Sequence, residues 1–198
     1  PSARSSHNAI YDPVSDRMVV FGGSDATGLV NDVWALTLSG TPAWTAITPT
    51  GTPPSARNHA GTIYDPARGR MLVFGGWDEL GTRNDVWALS LAGTPEWTSL
   101  APTGTPPSAR YLHSVIHDSV RDRLVVFGGH DGVGYRNDVW ALSLAGTPAW
   151  SVLTPDGTLP NVRALHSAIQ DPVRDRMVVF GGGKYPAYVN EVWMFWPA

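Results

Sequence analysis

Short apolar segments alternate with turn residues along the whole chain, and none of them has the 3.6-residue periodicity of a helix. The first part of the chain has an alternating segment at 7–12 and a continuous apolar run at 17–21. A segment with apolar residues on both faces follows at 31–38, and a second alternating segment lies at 43–48. Alternation is typical of a half-exposed strand, and a continuous run is typical of a strand covered on both faces. The pattern therefore predicts four short strands, a to d, with strand c buried on both faces and with turns marked by Pro and Gly.

The pattern recurs four times, with a constant step of 53 residues from one copy to the next. A Gly pair follows strand b in every copy, a Trp stands in every strand c, and three copies carry a Trp in strand d. We expect these residues to be structural, because Gly permits positive φ or close backbone approach and Trp fills the space between sheets. They are Gly22, Gly23, Gly75, Gly76, Gly128, Gly129, Gly181, Gly182, Trp34, Trp87, Trp140, Trp193, Trp44, Trp97 and Trp150.

Four in-phase copies of "FGG", three of "NDVW" and three of the strand-d Trp make the chain resemble the kelch-repeat β-propellers over its whole length. The resemblance implies an all-β propeller domain of residues 1–198, with four blades of four antiparallel strands. The expected blades cover 1–53, 54–106, 107–159 and 160–198. The last blade is expected to lack its own outer strand, because the sequence ends after strand c.

The assembly of these blades stays open at the level of sequence. The opening "PSAR" matches the end of a connection between strand d and the next strand a, so we expect that residue 1 is not the natural start. Two copies could close one ring as a homodimer, four blades could close as a monomer, or the chain could pack against other kelch repeats of a longer polypeptide. An apolar face exposed at either end would demand a partner.

Composition excludes several classes of function. The formal net charge is −3, so the chain offers no basic surplus for nucleic acid. No apolar run approaches the length of a membrane span, and we expect no membrane partner. The chain has no Cys, which removes disulfides, thiolate metal sites and the Cys-crosslinked Tyr of the galactose-oxidase type of kelch enzyme. We expect no cofactor and no bound metal.

One Arg precedes strand a in each copy, at Arg4, Arg57, Arg110 and Arg163. By resemblance to kelch domains that bind acidic peptides, these guanidinium groups would lie at the mouth of the ring and bind carboxylates. The alternative is structural, with each Arg paired to an acid of its own or a neighbouring blade, such as Asp32, Asp85, Asp138 or Glu191. His7, His113 and His166 are also in phase, but Ala60 breaks the series, which favours a structural role over a ring of metal ligands.

The loops between strands b and c vary most among the copies, and variable loops on a constant scaffold are where binding functions differ. Their aromatic and charged residues suit a peptide, a protein surface or a sugar, unless they vary without functional constraint. The candidates are Trp77, Arg83, His130, Tyr135, Arg136, Lys184, Tyr185 and Tyr188.

No nucleophile, phosphate loop or metalloprotease motif is present, so the chain is not expected to be an enzyme. The leading hypothesis is a non-enzymatic scaffold that binds a protein, peptide or glycan through the face carrying the d–a and b–c loops, and that self-associates to complete a ring. The alternatives are a purely structural, self-assembling propeller fragment, natural or engineered, and a sugar-processing enzyme domain. The resemblance to exported bacterial kelch proteins favours an extracellular or periplasmic location.

Overall fold

Antiparallel β-strands are the regular secondary structure of residues 1–195, the part of the chain that the computed structural model describes. The strands form four successive blades of the kelch-propeller type, which confirms the all-β prediction. In this described part, no helix is long and apolar enough to cross a membrane.

Blade 1 contains four main strands and a small hairpin in its b–c loop. The strands are β1 (Asn8–Asp12), β2 (Arg17–Phe21), the hairpin strands β3 (Ser24–Asp25) and β4 (Gly28–Leu29), then β5 (Val33–Thr37) and β6 (Trp44–Ile47). The main sheet has the order β1-β2-β5-β6. Each strand therefore pairs with its neighbour in sequence, as the short turns predict.

Blade 2 has the same sheet, but strands b and c continue into the loop and pair to its tip. Its strands are β7 (Gly61–Asp65), β8 (Arg70–Asp78), β9 (Gly81–Ser90) and β10 (Trp97–Leu100), in the order β10-β9-β8-β7. The register shifts between Phe74 and Gly76, so a bulge at the Gly pair separates the blade from the loop hairpin. Bulges of this kind redirect a strand without ending its pairing.

Blades 3 and 4 repeat the two loop arrangements. Blade 3 consists of β11 (Ser114–Asp118), β12 (Arg123–His130), β13 (Tyr135–Ser143) and β14 (Ala149–Leu153). Blade 4 consists of β15 (Ser167–Asp171), β16 (Arg176–Phe180), the loop hairpin β17 (Gly183–Lys184) and β18 (Ala187–Tyr188), and β19 (Val192–Phe195). Its main sheet has three strands, β15-β16-β19, which confirms that the blade lacks an outer strand of its own in the described residues.

The blades pack in pairs within two compact units, residues 1–100 and 101–198. In the first unit, the face of blade 1 that carries Val19 and Phe21 packs against the face of blade 2 that carries Met71 and Trp97. In the second unit, the equivalent faces of blades 3 and 4 meet through another apolar cluster. We call the side of a blade that meets the following blade its forward face, and the opposite side its rear face.

The Gly pair is required by both conformation and space. In blade 1, Gly22 and Gly23 have φ values of 67° and 98°. A Cβ on Gly22 would lie 2.7 Å from the carbonyl oxygen of Arg57 in blade 2, and a Cβ on Gly23 would lie 2.7 Å from that of Ser5. Because L residues rarely adopt these φ values and no side chain fits, the repeated pair allows blades to approach closely.

Strand c has buried residues on both faces in blades 2 and 3, where Leu89 and Leu142 are fully buried, but in blade 1 its second face is only partly covered. In β5, Val33 and Ala35 are buried, whereas Trp34 is half-buried and Leu38, just beyond the strand, is exposed. Trp87 in blade 2 is also half-buried, because its indole N–H reaches towards the loop side of the blade. In blade 2 this second face packs against blade 1, whereas the equivalent face of blade 1, where Leu38 is 44% exposed, has no such cover among the described residues.

Candidate functional site

The four arginines before strand a each bind the acid at the start of strand c in the same blade. In blade 2, the Arg57 guanidinium donates to both carboxylate oxygens of Asp85 at 2.6 and 2.9 Å, and to the carbonyl oxygen of Gly75 at 2.9 Å. The corresponding pairs are Arg4–Asp32, Arg110–Asp138 and Arg163–Glu191. These are the ion pairs that the structural alternative expects.

Each of these ion pairs also fixes a Trp. The indole N–H groups of Trp34, Trp87 and Trp140 donate to the same carboxylates at 2.6–2.7 Å, and Trp193 donates to Glu191 at 2.8 Å. The hydrogen bond from Arg4 lowers the pKa of Asp32 below its ordinary value. The guanidinium groups are almost fully buried and their donors are used inside the blade, so the geometry favours the structural role for Arg4, Arg57, Arg110 and Arg163, although Arg163 also lines a cleft.

The b–c loops of blades 2 and 3 are each held by an ion pair within the loop. Arg83 Nε donates to Asp78 at 2.6 Å, and Arg136 Nε donates to Asp131 at 2.6 Å. Burial would raise the pKa of Asp131, but hydrogen bonds from the backbone of Gly134 and from Arg136 outweigh it and lower the pKa to about 2. Two of the predicted binding residues, Arg83 and Arg136, therefore stabilise their own loops.

The b–c loop of blade 4 lacks this ion pair because both positions have changed. Lys184 stands where the other blades have Asp, and Val189 stands where blades 2 and 3 have Arg. The Lys184 side chain is exposed, and no ion pair holds it within residues 1–195. Tyr185 and Tyr188 are also exposed, Tyr185 to 72%. Blade 4 thus presents a cation beside two tyrosines.

Aromatic side chains of blade 3 adjoin this loop. The rings of His130 and Tyr135 meet edge to face with their centroids 4.8 Å apart. The Tyr135 hydroxyl accepts a hydrogen bond from the backbone N–H of Tyr185 at 3.2 Å, which joins the two loops. The structure therefore brings together five of the predicted residues: His130, Tyr135, Lys184, Tyr185 and Tyr188. Trp77 lies in the other unit, where it is 41% exposed.

Two adjoining clefts lie between these loops of the second unit and share Val162 and Lys184. The larger, of about 430 Å³, is lined by Asn137, Asn161, Val162, Arg163, Gly183, Lys184, Ala187, Val189 and Glu191. The smaller, of about 310 Å³, is lined by His130, Val133, Gly134, Tyr135, Val162 and Lys184. Together they form an open groove with apolar walls and one exposed cation, which we call the blade 3/4 groove.

Sequence reasoning missed the part of the groove that comes from the d–a connection. Asn161 and Val162 replace the Ser-Ala that precedes the Arg in the first three copies. This departure from the repeat is visible in the sequence, directly before the repeated Arg163. A comparison of the four copies, position by position, identifies these two residues as a departure in blade 4.

The first unit has a cleft of different character. Its volume is about 380 Å³, and it is lined by Ser55, Ala56, Asp78, Glu79, Leu80 and Arg83. Ser55 and Arg83 both donate to Asp78 there, each at 2.6 Å. Its polar groups are thus largely paired with one another, which leaves fewer of them for a ligand.

His166, one of the histidines in phase with the repeat, is a packing residue. His166 is buried against the ring of Phe127, with centroids 5.0 Å apart, and its Nε2 lies 2.9 Å from the Ser114 hydroxyl. Burial, with help from the charge of Arg163, lowers the pKa of His166 to about 4. Within neither unit do the described residues bring three histidine or acidic groups to ligand distance of one another.

Four-stranded blades in which a Gly pair follows strand b and an Arg–acid–Trp contact fixes strand c define a kelch-type propeller protein. The chain belongs to the family described as the KLHDC2/KLHL20/DRC7 Kelch-repeats domain, whose model matches residues 1–94 and 92–198.

Individual relatives are similar over nearly all of this chain but are much longer. The leucine-zipper-like transcriptional regulator 1 homolog of Drosophila melanogaster is 31% identical over 194 residues, which cover 92% of this chain and 19% of the relative. The multiple epidermal growth factor-like domains protein 8 of Mus musculus is 33% identical over 94% of this chain and 7% of its own length. The Rab9 effector protein with kelch motifs of Bos taurus is 32% identical over 92% of this chain and 49% of its own length. The chain therefore spans less than half of these relatives.

Proposed function

We propose that this chain is a non-enzymatic interaction module that binds an extended peptide segment of another protein in the blade 3/4 groove. The observation that carries the proposal is the groove itself, where the exposed Lys184 lies among exposed valines and the half-buried Tyr135 on a kelch scaffold. Exposed aromatic and apolar side chains around a cleft are typical of protein-binding surfaces. One relative, the Rab9 effector protein with kelch motifs, is a kelch protein named for a protein partner.

The chemistry of the groove favours a segment with one acidic group flanked by apolar or aromatic side chains. Lys184 offers the cation, and Val162, Val189 and Tyr135 offer apolar contact. The acid in the larger cleft, Glu191, is held by Trp193 and Arg163, and these hydrogen bonds lower its pKa. An acid kept ionised in this way suits a fixed scaffold better than proton transfer, which supports binding rather than sugar-processing catalysis.

A display experiment with a random peptide library tests this function. Peptides selected on the wild-type chain should bind the double variant Lys184→Asp/Val162→Ala at least about tenfold more weakly, because it restores the residue types of the other blades. Leu80→Ala, in the equivalent loop of blade 2, should leave binding unchanged. Equal binding to wild type and the double variant would contradict the proposal. Selection of no peptide, together with binding on a glycan array, would favour a sugar ligand instead.

Self-association is the second function that we propose, as a homodimer that completes a ring. A specific observation favours it: the forward face of blade 4 is apolar but exposed, with Phe180 at 54%. Exposed apolar faces of this kind bind a partner or cause aggregation. Light scattering across a dilution series should give twice the chain mass of 21.3 kDa. A monomer at every concentration would contradict self-association and leave peptide binding untouched.

A further inference from the structure

We propose that the forward face of blade 4 binds the rear face of blade 1 of a second copy of this chain, in the register of the joint between blades 1 and 2. The inference rests on the self-association proposed above and adds to it the contacts that the two copies make. The blade 4 face consists of Ile169, Val178, Phe180, Val192 and Met194. The blade 1 face consists of Met18, Leu36, Leu38 and Trp44.

The joint between blades 1 and 2 provides the template. The Phe21 ring of blade 1 lies 5.1 Å from the Trp97 ring of blade 2, and the two rings belong to one buried cluster. Trp97 is 3% exposed. The strand-d Trp of one blade therefore covers the strand-b Phe of the blade before it.

Both halves of this contact are present and uncovered at blades 4 and 1. Phe180 occupies the position of Phe21, and Trp44 occupies the position of Trp97. Trp44 is 42% exposed, and Leu38, at the position of the buried Leu91, is exposed beside it. Blade 4 thus has an uncovered Phe and blade 1 an uncovered Trp. In the template joint, residues at these two positions pack against each other.

Backbone hydrogen bonds define the register of the template. Gly23 N–H donates to the carbonyl oxygen of Arg57 at 2.9 Å, and Arg57 N–H donates to that of Val30 at 3.2 Å. His59 N–H donates to the carbonyl oxygen of Ser6 at 3.0 Å. These bonds cross from blade 1 to blade 2 at the edge where the Gly pair allows close approach.

The joint between blades 3 and 4 repeats the same three bonds. The Gly129 N–H donates to the backbone carbonyl oxygen of Arg163, and the Arg163 N–H donates to that of Arg136. The Leu165 N–H donates to the carbonyl oxygen of Leu112, and all three distances are 2.9–3.2 Å. A side-chain bond also recurs, from the Asn31 amide to Pro54 and from the Asn137 amide to Pro160. Two joints with one register show that the register belongs to the repeat and not to either pair of blades.

Applying the same register to blade 4 and to blade 1 of a second copy predicts which backbone groups of the two copies bond to each other. The Gly182 N–H would donate to the carbonyl oxygen of Arg4 in the second copy. The N–H of that Arg4 would donate to the carbonyl oxygen of Val189 in the first copy. Ser6 N–H of the second copy would donate to Leu165. In the described part of the chain, none of these groups makes the equivalent bond, so both sides of the new joint are available.

Cross-linking between two single-cysteine variants tests the register, because the chain has no Cys of its own. Ser6→Cys and Leu165→Cys replace the two residues whose equivalents share a 3.0–3.2 Å backbone bond in both template joints. Mixed and treated with a short bismaleimide, they should give a covalent dimer that neither variant gives alone. Ser6→Cys mixed with Leu80→Cys, at an exposed loop of blade 2, is the control and should give none.

The outcomes separate the register from self-association. A dimer by light scattering without the 6–165 product would overturn the register while leaving self-association in place. A monomer by light scattering without the product would overturn both. The variant with Ser6→Cys and Leu165→Cys in one chain should yield a cross-linked dimer, and an internal cross-link at monomer mass would show instead that the joint closes within one chain. Product with Leu80→Cys in equal yield would mean random collision and would also overturn the proposal.

Discussion

The forward faces of blade 1 and blade 4 are built from nearly the same residues but have opposite environments. Ile10, Phe21 and Val33 on blade 1 are buried, and Ile169, Phe180 and Val192 at the same positions of blade 4 are exposed. The backbone pairing beneath them is also the same, with Phe21 opposite Val33 and Phe180 opposite Val192. The difference comes from the neighbour: blade 2 covers the first face within its unit, and no residue of the described chain covers Phe180 to a similar degree.

A single blade thus forms its sheet without help from other blades, but it buries its apolar side chains only when a neighbouring blade covers them. In repeat proteins, each unit buries its apolar surface against the next one, so stability is a sum of unit and joint terms. The same side chain can therefore stabilise the fold in one blade and an interface in another. Mutations at equivalent positions separate the two roles.

The largest expected difference is between Phe21→Ala and Phe180→Ala. Removing the buried Phe21 should lower the free energy of unfolding by about 3–5 kcal/mol, because it leaves a cavity against Trp97. Removing the exposed Phe180 should change the stability of the monomer by less than about 1 kcal/mol. Urea denaturation, followed by tryptophan fluorescence at a dilution where the chain is monomeric, measures both. Equal losses would mean that the two faces are covered alike.

A smaller effect is expected from His166, which lies in the joint between blades 3 and 4 where the joint between blades 1 and 2 has Ala60. The pKa of His166 is about 4 in the folded protein and near 6.5 in the unfolded chain. The unfolded chain therefore takes up a proton between pH 6.5 and pH 4 that the folded chain does not. Stability should fall by about 3 kcal/mol across this range.

The variant His166→Ala, which copies Ala60, provides the control for this pH dependence. The free energy of unfolding should fall less on acidification in this variant than in the wild type. This expectation holds whatever the stability of the variant at pH 7. Parallel pH profiles for the two proteins would show that His166 is protonated equally in both states, and thus that the joint does not bury it.

The smallest of the three differences concerns the ion pairs at the start of strand c. Arg4 donates to both oxygens of Asp32, whereas Arg163 donates to Glu191 once, at 2.9 Å. Asp32→Asn should cost about 2 kcal/mol, because a buried guanidinium loses its counter-charge and a charged hydrogen bond. Glu191→Gln should cost less. Thermal unfolding of both variants checks the order, and a larger loss for Glu191→Gln would contradict it.

The sequence predicts the strands well because local signals define them. The Asp-Pro turn before Arg17, the apolar run to Phe21 and the Gly pair place β2 and its equivalents without any knowledge of the neighbours. The absence of an outer strand of blade 4 in the described residues is predicted by the repeat period, because the sequence contains only three strand-d segments. The loop strands β3, β4, β17 and β18 are not predicted, because each has only two residues and two residues cannot show an alternating pattern.

Contacts between distant residues are much harder to predict. Four arginines in phase suit a carboxylate ligand and an internal ion pair equally well, and only the 2.6–2.9 Å contacts such as Arg57–Asp85 decide between them. The groove between blades 3 and 4 depends on the absence of an ion pair at Lys184 and Val189, two substitutions that become meaningful only when their equivalents are seen to bind each other.

The molar mass in solution, measured by light scattering across a dilution series for the wild type and for Phe180→Ser, tests the central claim that the uncovered blade 4 face is an interface. We expect twice 21.3 kDa for the wild type at micromolar concentration, and at least about tenfold weaker association for the variant. A wild type that stays monomeric throughout, or a variant that dimerises as tightly as the wild type, would contradict it.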